Sequence, residues 1–264
     1  MDSLSALHLL AVILISAVAG AMNAVAGGGT LLTFPALIGL GIPPLIANAT
    51  STVALWPGAV GSIWGYRGEL VGARRWALAF ALPSLAGGLV GALLLLRTDA
   101  ETFADLVPWL VLGATALFMA QGPLTAWLRR RGGPSASGTD DDRTGRLPPA
   151  SLLAFQFVIG IYGGYFGAGV GILMLGALGL MGLTNIHRMN GLKNWGGMCM
   201  NGVAAVTFSL SGLVNWPVAL SMAVGAVGGG YLGSRTAQRV SQKTVRMVIV
   251  TIGMASGIWL LVSR

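Results

Sequence analysis

The 264-residue chain is 55% hydrophobic and only 9% charged, with a mean hydropathy of +0.77. A soluble domain carries roughly 25% charged residues, so this composition excludes an ordinary water-soluble fold and predicts an integral membrane protein. The formal net charge of +8 is concentrated at segment ends and in loops, where positive-inside bias explains it better than nucleic-acid binding does. The single cysteine, Cys199, excludes a disulfide framework.

Long apolar segments follow one another along the chain and predict an all-α polytopic membrane protein. Most approach the roughly 20 residues that a helix needs to cross the hydrocarbon core. The second and seventh are shorter, and we expect half-helices, re-entrant arms or strongly tilted short spans there. The ten segments cover residues 5–25, 30–42, 45–65, 75–96, 104–127, 151–168, 171–183, 188–210, 216–235 and 244–262.

A glycine cluster interrupts the first half of the chain just before its short segment. Non-helical backbone at membrane depth is tolerated only where protein or a water-filled cavity surrounds it. A helix that begins there has first N–H groups without intrahelical partners, and these attract anions. We therefore expect an anion to contact Gly28, Gly29 and Thr30, assisted by polar side chains that open the third segment, namely Asn48, Ser51 and Thr52.

The second half repeats the first at a constant displacement of 142 residues. This offset maps Gly27 onto Gly169, Gly29 onto Gly171 and Asn48 onto Asn190. Internal duplication is common in transporter folds. The predicted organisation is a first transmembrane repeat over 1–128, a charged Gly/Ser/Pro-rich linker over 129–149 and a second repeat over 150–264, with short broken helices at the centre.

Loop charges favour an inverted relation between the two halves. The loop after the third segment is basic and the loop after the fourth is acidic overall, whereas this bias swaps in the second half. The positive-inside rule then places the Arg-rich linker in the cytoplasm and both termini in the periplasm of a cell inner membrane. Parallel repeats with weak charge bias remain the alternative.

Lys193 is the most informative residue of the second half, because it lies within an apolar run. A charge near the bilayer centre is costly unless it is paired or hydrated, and an anionic ligand is one natural partner. The alternative is that its long side chain reaches the cytoplasmic interface. Asn190, Asn194 and Trp195 are candidates for the same site, as are backbone N–H groups at Gly169 and Gly171; Asn23 and Tyr165, matched by the offset, are weaker candidates.

No motif for an enzyme, a metal centre or a cofactor is evident in the sequence. The acidic residues fall in loops, termini or segment ends, so no intramembrane carboxylate is available as a proton relay. We therefore expect an uncoupled permease, from which an anion leaves down the membrane potential, worth about 2.3 kcal/mol per charge at 100 mV.

These stretches resemble the TauE/SafE family of sulfite-exporter-like permeases. The resemblance is carried by AVAGGGTLLTFPALIGLGIP and NATST in the first half, and by GGYFGAGVGILML and HRMNGLKN in the second. It implies export of small sulfur-containing anions, sulfite or organosulfonates, across the bacterial inner membrane. Two departures weaken the expectation that both halves contribute equally: the second glycine cluster is diluted to GAGVG, and Pro35 has Ala177 as its counterpart.

The expected partners are a small anionic substrate and the lipid bilayer, with a homodimer as an open possibility. Two alternatives differ in function. An importer or a Na⁺-coupled carrier of other organic anions would hold Na⁺ at backbone carbonyls of the broken helices. A non-transporting assembly or scaffold subunit would have no polar site between the halves.

Overall fold

A computed structural model of the chain describes residues 6–25, 27–131, 144–145, 147–236 and 242–262, and all regular structure in these ranges is α-helical. Each of the ten predicted segments falls on a helix, and the short helix α4 is additional. The all-α membrane fold is therefore confirmed. The helices are α1 (Ala6–Val25), α2 (Thr30–Gly39), α3 (Pro44–Gly65), α4 (Arg67–Gly72), α5 (Arg74–Arg97), α6 (Ala100–Arg131), α7 (Ala150–Tyr165), α8 (Val170–Leu180), α9 (Ile186–Leu210), α10 (Trp216–Thr236) and α11 (Gln242–Val262).

Helix length separates the spanning helices from the short ones. Three helices of the described part are long and apolar enough by themselves to cross a bilayer, over His8–Val25, Arg74–Arg97 and Ala100–Ala120. Helices α2 and α8 have 10 and 11 residues. At 1.5 Å per residue each reaches only about 15–17 Å, roughly half of the hydrocarbon core. The predicted short segments are therefore short helices.

Glycines let helices from the two halves approach closely. Helix α1 packs on α10, and α5 packs on α7. A Cβ atom added at Gly229 of α10 would overlap the carbonyl oxygen of Ala17, and one added at Gly91 of α5 would overlap that of Ile161. Backbones this close gain van der Waals contact that larger side chains would prevent. The high glycine content is thus used at contacts between the two halves of the chain.

The contacts also show how the helices run relative to one another. Helix α3 begins beside the end of α9, where the hydroxyl of Thr50 accepts the Asn215 N–H at 3.0 Å. The chain after α3 returns to the start of α9, where the guanidinium of Arg188 would lie 3.0 Å from a Cβ at Gly72. The counterpart helices α3 and α9 are therefore antiparallel, which an inverted repeat requires. The inverted repeat itself stays a prediction.

The predicted linker over 129–149 is only partly described. Helix α6 continues into it as far as Arg131, and residues 132–143 and 146 lie outside the described residues. Between these stretches, the hydroxyl of Thr144 donates to the Gly72 carbonyl at 3.2 Å, and the guanidinium of Arg75 donates to the Gly145 carbonyl at 2.5 Å. Residues 144–145 of the linker therefore contact the end of α4 and the start of α5.

Candidate functional site

The two helix interruptions meet inside the protein. The chain turns sharply between α1 and α2 at Gly27, with φ of 81°, and between α7 and α8 at Gly167 and Gly169, with φ of 77° and 76°. These left-handed conformations favour glycine because it has no Cβ atom. A Cβ on Gly27 would lie 2.9 Å from the Cα of Gly171, so the two breaks are in backbone contact.

Side chains of the second repeat bind the end of α1. The Lys193 ammonium donates to the carbonyl oxygens of Asn23 at 3.2 Å and Ala24 at 3.3 Å, and the Asn194 amide also donates to Ala24 at 3.3 Å. Lys193 is only 3% exposed, so its side chain does not reach bulk water. The last carbonyls of a helix carry the negative end of its dipole, and this favours a cation there.

A side chain of the first repeat binds the end of α7 in the reciprocal way. The Asn48 amide nitrogen donates to the carbonyl oxygen of Tyr165 at 3.0 Å. By the offset of 142, Tyr165 is the counterpart of Asn23, whose carbonyl binds Lys193. Each broken helix is therefore capped at its C-terminal end by the opposite repeat. The offset pairs the two acceptors, Asn23 and Tyr165, but it does not identify their donors.

The two breaks differ in charge. The counterpart of Lys193 is Ser51, whose hydroxyl lies 2.6 Å from that of Thr33 in α2. Lys193 therefore places a fixed ammonium at the α1 break, whereas the α7 break has neutral side chains at the matching positions.

Two buried amide oxygens have no hydrogen-bond partner in the described structure. They are Oδ1 of Asn48 and Oδ1 of Asn190, two residues that the offset pairs. Asn48 is fully buried and Asn190 is 3% exposed. Buried polar groups are nearly always satisfied by protein or ordered water, so an acceptor without a donor needs an explanation.

The remaining predicted residues already have partners within the protein. Thr52 donates to the Asn48 carbonyl at 2.9 Å, and the indole of Trp195 donates to Ala77 at 2.7 Å. The Gly29 N–H, expected to face an anion, donates to Oδ1 of Asn23 at 2.7 Å. The other predicted glycines are buried, and Thr30 is half-buried. Their neighbours are Phe118 and Ile249 at Gly28, Ala114 at Gly169 and Gly27 at Gly171.

A cavity of about 320 Å³ lies away from the breaks, between α3, α9 and α10. Apart from Ser209 its lining residues are apolar or aromatic, as in Trp56 and Leu220. It offers an anion no charged partner. Among the described residues, no cluster of three His, Cys, Asp or Glu side chains could hold a metal ion. Of the cavity and the two breaks, only the α1 break holds a charged side chain, Lys193.

Comparison with known proteins gives a consistent assignment. A family model described as sulfite exporter TauE/SafE matches residues 12–260. A probable membrane transporter protein, ORF9, of Sinorhizobium sp is 32% identical over 97% of this chain and 94% of its own. A probable membrane transporter protein of Haemophilus influenzae is 28% identical over 88% of this chain and 86% of its own. The probable membrane transporter protein YfcA of Escherichia coli is 29% identical over 90% of this chain and 84% of its own.

Proposed function

Because this chain belongs to the TauE/SafE family of membrane transporters, we propose that it exports small sulfur-containing anions, sulfite or organosulfonates, through a site between the two helix breaks. Membrane transport follows from the family and from the apolar helices, whereas the substrate and the inner-membrane location belong to the proposal. The observation that carries the site is the buried Lys193 ammonium beside two interruptions in backbone contact.

The geometry supports binding of a single small anion at the α1 break. The ammonium of Lys193 has three N–H donors, and two of them bind the carbonyls of Asn23 and Ala24. The third is available to a ligand. The negative end of the α1 dipole carries about half an elementary charge and offsets part of the ammonium charge. Binding is therefore expected to be weak, as release on the opposite side requires.

Transport by an electrogenic permease is expected to follow the membrane potential. The described part of helices α2, α3, α7, α8 and α9 contains no Asp or Glu, so we predict that no carboxylate there carries a proton with the anion. A negative interior then favours anion exit by about 2.3 kcal/mol per charge at 100 mV.

Reconstituted liposomes test this proposal. Vesicles loaded with sulfite or methanesulfonate are given a potassium diffusion potential with valinomycin, and efflux is recorded. We expect faster efflux when the interior is negative, and loss of at least nine-tenths of the efflux in Lys193→Gln. Arg74→Gln is the matched control, because it removes the same charge from an exposed side chain. Efflux that ignores the potential but follows a pH gradient would contradict the uncoupled mechanism.

A further inference from the structure

We propose that the C-terminal end of α7 binds a monovalent metal cation, Na⁺, which stays bound while the anion is transported. The ligands assigned are Oδ1 of Asn48, the hydroxyl of Ser51 and the carbonyl oxygens of Tyr165 and Phe166. A requirement for Na⁺ in transport rests on the proposed anion transport, whereas cation binding can be measured without it.

The first observation is the unpartnered Oδ1 of Asn48, which is fully buried. The orientation of the amide is fixed by chemistry, because its other end lies 3.0 Å from the Tyr165 carbonyl and a carbonyl can only accept. Exchanging the amide nitrogen and oxygen would place two acceptors against each other. The Asn48 oxygen therefore lies at the end of α7 and lacks a donor or a cation.

The second observation is what the other repeat places at the matching position. At the end of α1, the Lys193 ammonium lies against the carbonyls of Asn23 and Ala24. Their counterparts at the end of α7 are the carbonyls of Tyr165 and Phe166, and the counterpart of Lys193 is the much shorter Ser51. One break thus carries a tethered cation, and the matching position at the other break has no cationic side chain.

The chemistry of the ligand set selects a monovalent ion. Ends of broken helices and unwound carbonyls hold Na⁺ in other transporters, because the helix dipole is negative there. Divalent cations such as Ca²⁺ use several carboxylates. Neither α3 nor α7 contains an acidic residue. A neutral, all-oxygen site therefore fits Na⁺ and not a divalent cation.

Cation binding is tested first, without any anion substrate. Purified protein in detergent is titrated with NaCl against choline chloride at constant ionic strength, and the unfolding temperature is recorded. We expect a saturable rise with Na⁺, because a ligand that binds the folded state raises apparent stability. Asn48→Ala should raise the half-saturating Na⁺ concentration at least tenfold. Its counterpart variant Asn190→Ala should leave that concentration unchanged.

Ser51→Lys is the sharpest variant, because it would give the α7 break its own tethered ammonium. We expect it to abolish the Na⁺-dependent rise. If this variant fails to fold, Ser51→Ala serves in its place and should weaken Na⁺ binding severalfold. Equal unfolding temperatures of the wild type in Na⁺ and choline would overturn the proposal, since a buried water would then satisfy the Asn48 oxygen.

Flux measurements separate the cation proposal from the proposed function. Anion efflux from liposomes that is several times faster with Na⁺ than with choline on both sides of the membrane, and that loses this dependence in Asn48→Ala, supports a requirement for bound Na⁺ in transport. Efflux of equal rate in both salts overturns this requirement and leaves anion transport intact. Absence of any efflux refutes the proposed function, while the titration still decides whether the cation binds.

Discussion

Replacement of Lys193 by Met separates anion binding from structural capping. Methionine has a similar length and no charge. In this variant the Ala24 carbonyl keeps the Asn194 amide as its donor, and the Asn23 carbonyl loses the ammonium. One unsatisfied buried acceptor costs about 1–3 kcal/mol. Removing a buried charge recovers a desolvation penalty of several kcal/mol. We therefore expect the unfolding temperature without substrate to be unchanged or raised.

The same substitution should weaken anion binding strongly. Two unit charges 4 Å apart interact by about 4 kcal/mol at an effective dielectric constant of 20. The C-terminal end of α1 carries about half a negative elementary charge, and its repulsion of the anion offsets roughly half of this attraction. A remaining attraction of about 2 kcal/mol corresponds to about 30-fold in affinity. In Lys193→Met, about 30 times more sulfite should be needed for the same rise in unfolding temperature.

The assay is a thermal-shift titration of detergent-solubilised protein with sulfite, and Arg74→Met is the control for loss of charge elsewhere. The control should keep the wild-type response, because Arg74 is exposed. A strongly destabilised Lys193→Met protein that still responds to sulfite like the wild type would refute the reasoning. Lys193 would then be only a cap for α1.

Three further predictions concern packing, the indole and a helix cap. Gly229→Ala should lower the free energy of unfolding by about 1–3 kcal/mol or more in a denaturation assay, because the added methyl group overlaps the Ala17 carbonyl and forces the backbones apart. Gly228→Ala is the control and should not destabilise, because its added methyl group meets open space. Trp195→Phe should lower stability by about 1 kcal/mol for the lost hydrogen bond and leave sulfite titration unchanged. The backbone N–H of Thr102 donates to the Asp99 carboxylate and lowers its pKa. Asp99→Ala should therefore lower the free energy of unfolding above about pH 4. In unfolding curves recorded over a pH series, the difference in stability between the variant and the wild type should vanish as the pH falls through the lowered pKa.

The helical segments could be predicted because their signal is local. An apolar run of about 20 residues specifies a spanning helix whatever surrounds it, and the runs that begin at Thr30 and Val170 are visibly too short. Glycine clusters mark where those helices begin. The helix α4 was not predicted, because six residues rich in charge and glycine carry no apolar period.

The candidate site could be predicted only in part. The importance of Lys193 follows from its charge within an apolar run, and its burial agrees with that expectation. Its partners do not follow, because Asn23 and Ala24 are 170 and 169 residues away in the chain. The expected role of helix N-terminal N–H groups was also incomplete, since Gly29 already donates to Asn23.

The sequence by itself determined the helical membrane fold and the resemblance to the TauE/SafE family, and it predicted two related halves with a lysine inside an apolar run. These properties reside in composition, apolar run length and a constant offset, none of which needs a distant contact. Only the tertiary structure decided that the two breaks touch, that each half caps the other's broken helix, and that Asn48 keeps an unpartnered oxygen. Such features depend on how the helices pack, because packing decides which backbone carbonyls come within hydrogen-bond distance of a donor. Every residue has the same backbone carbonyl, so the sequence does not show which one will be contacted.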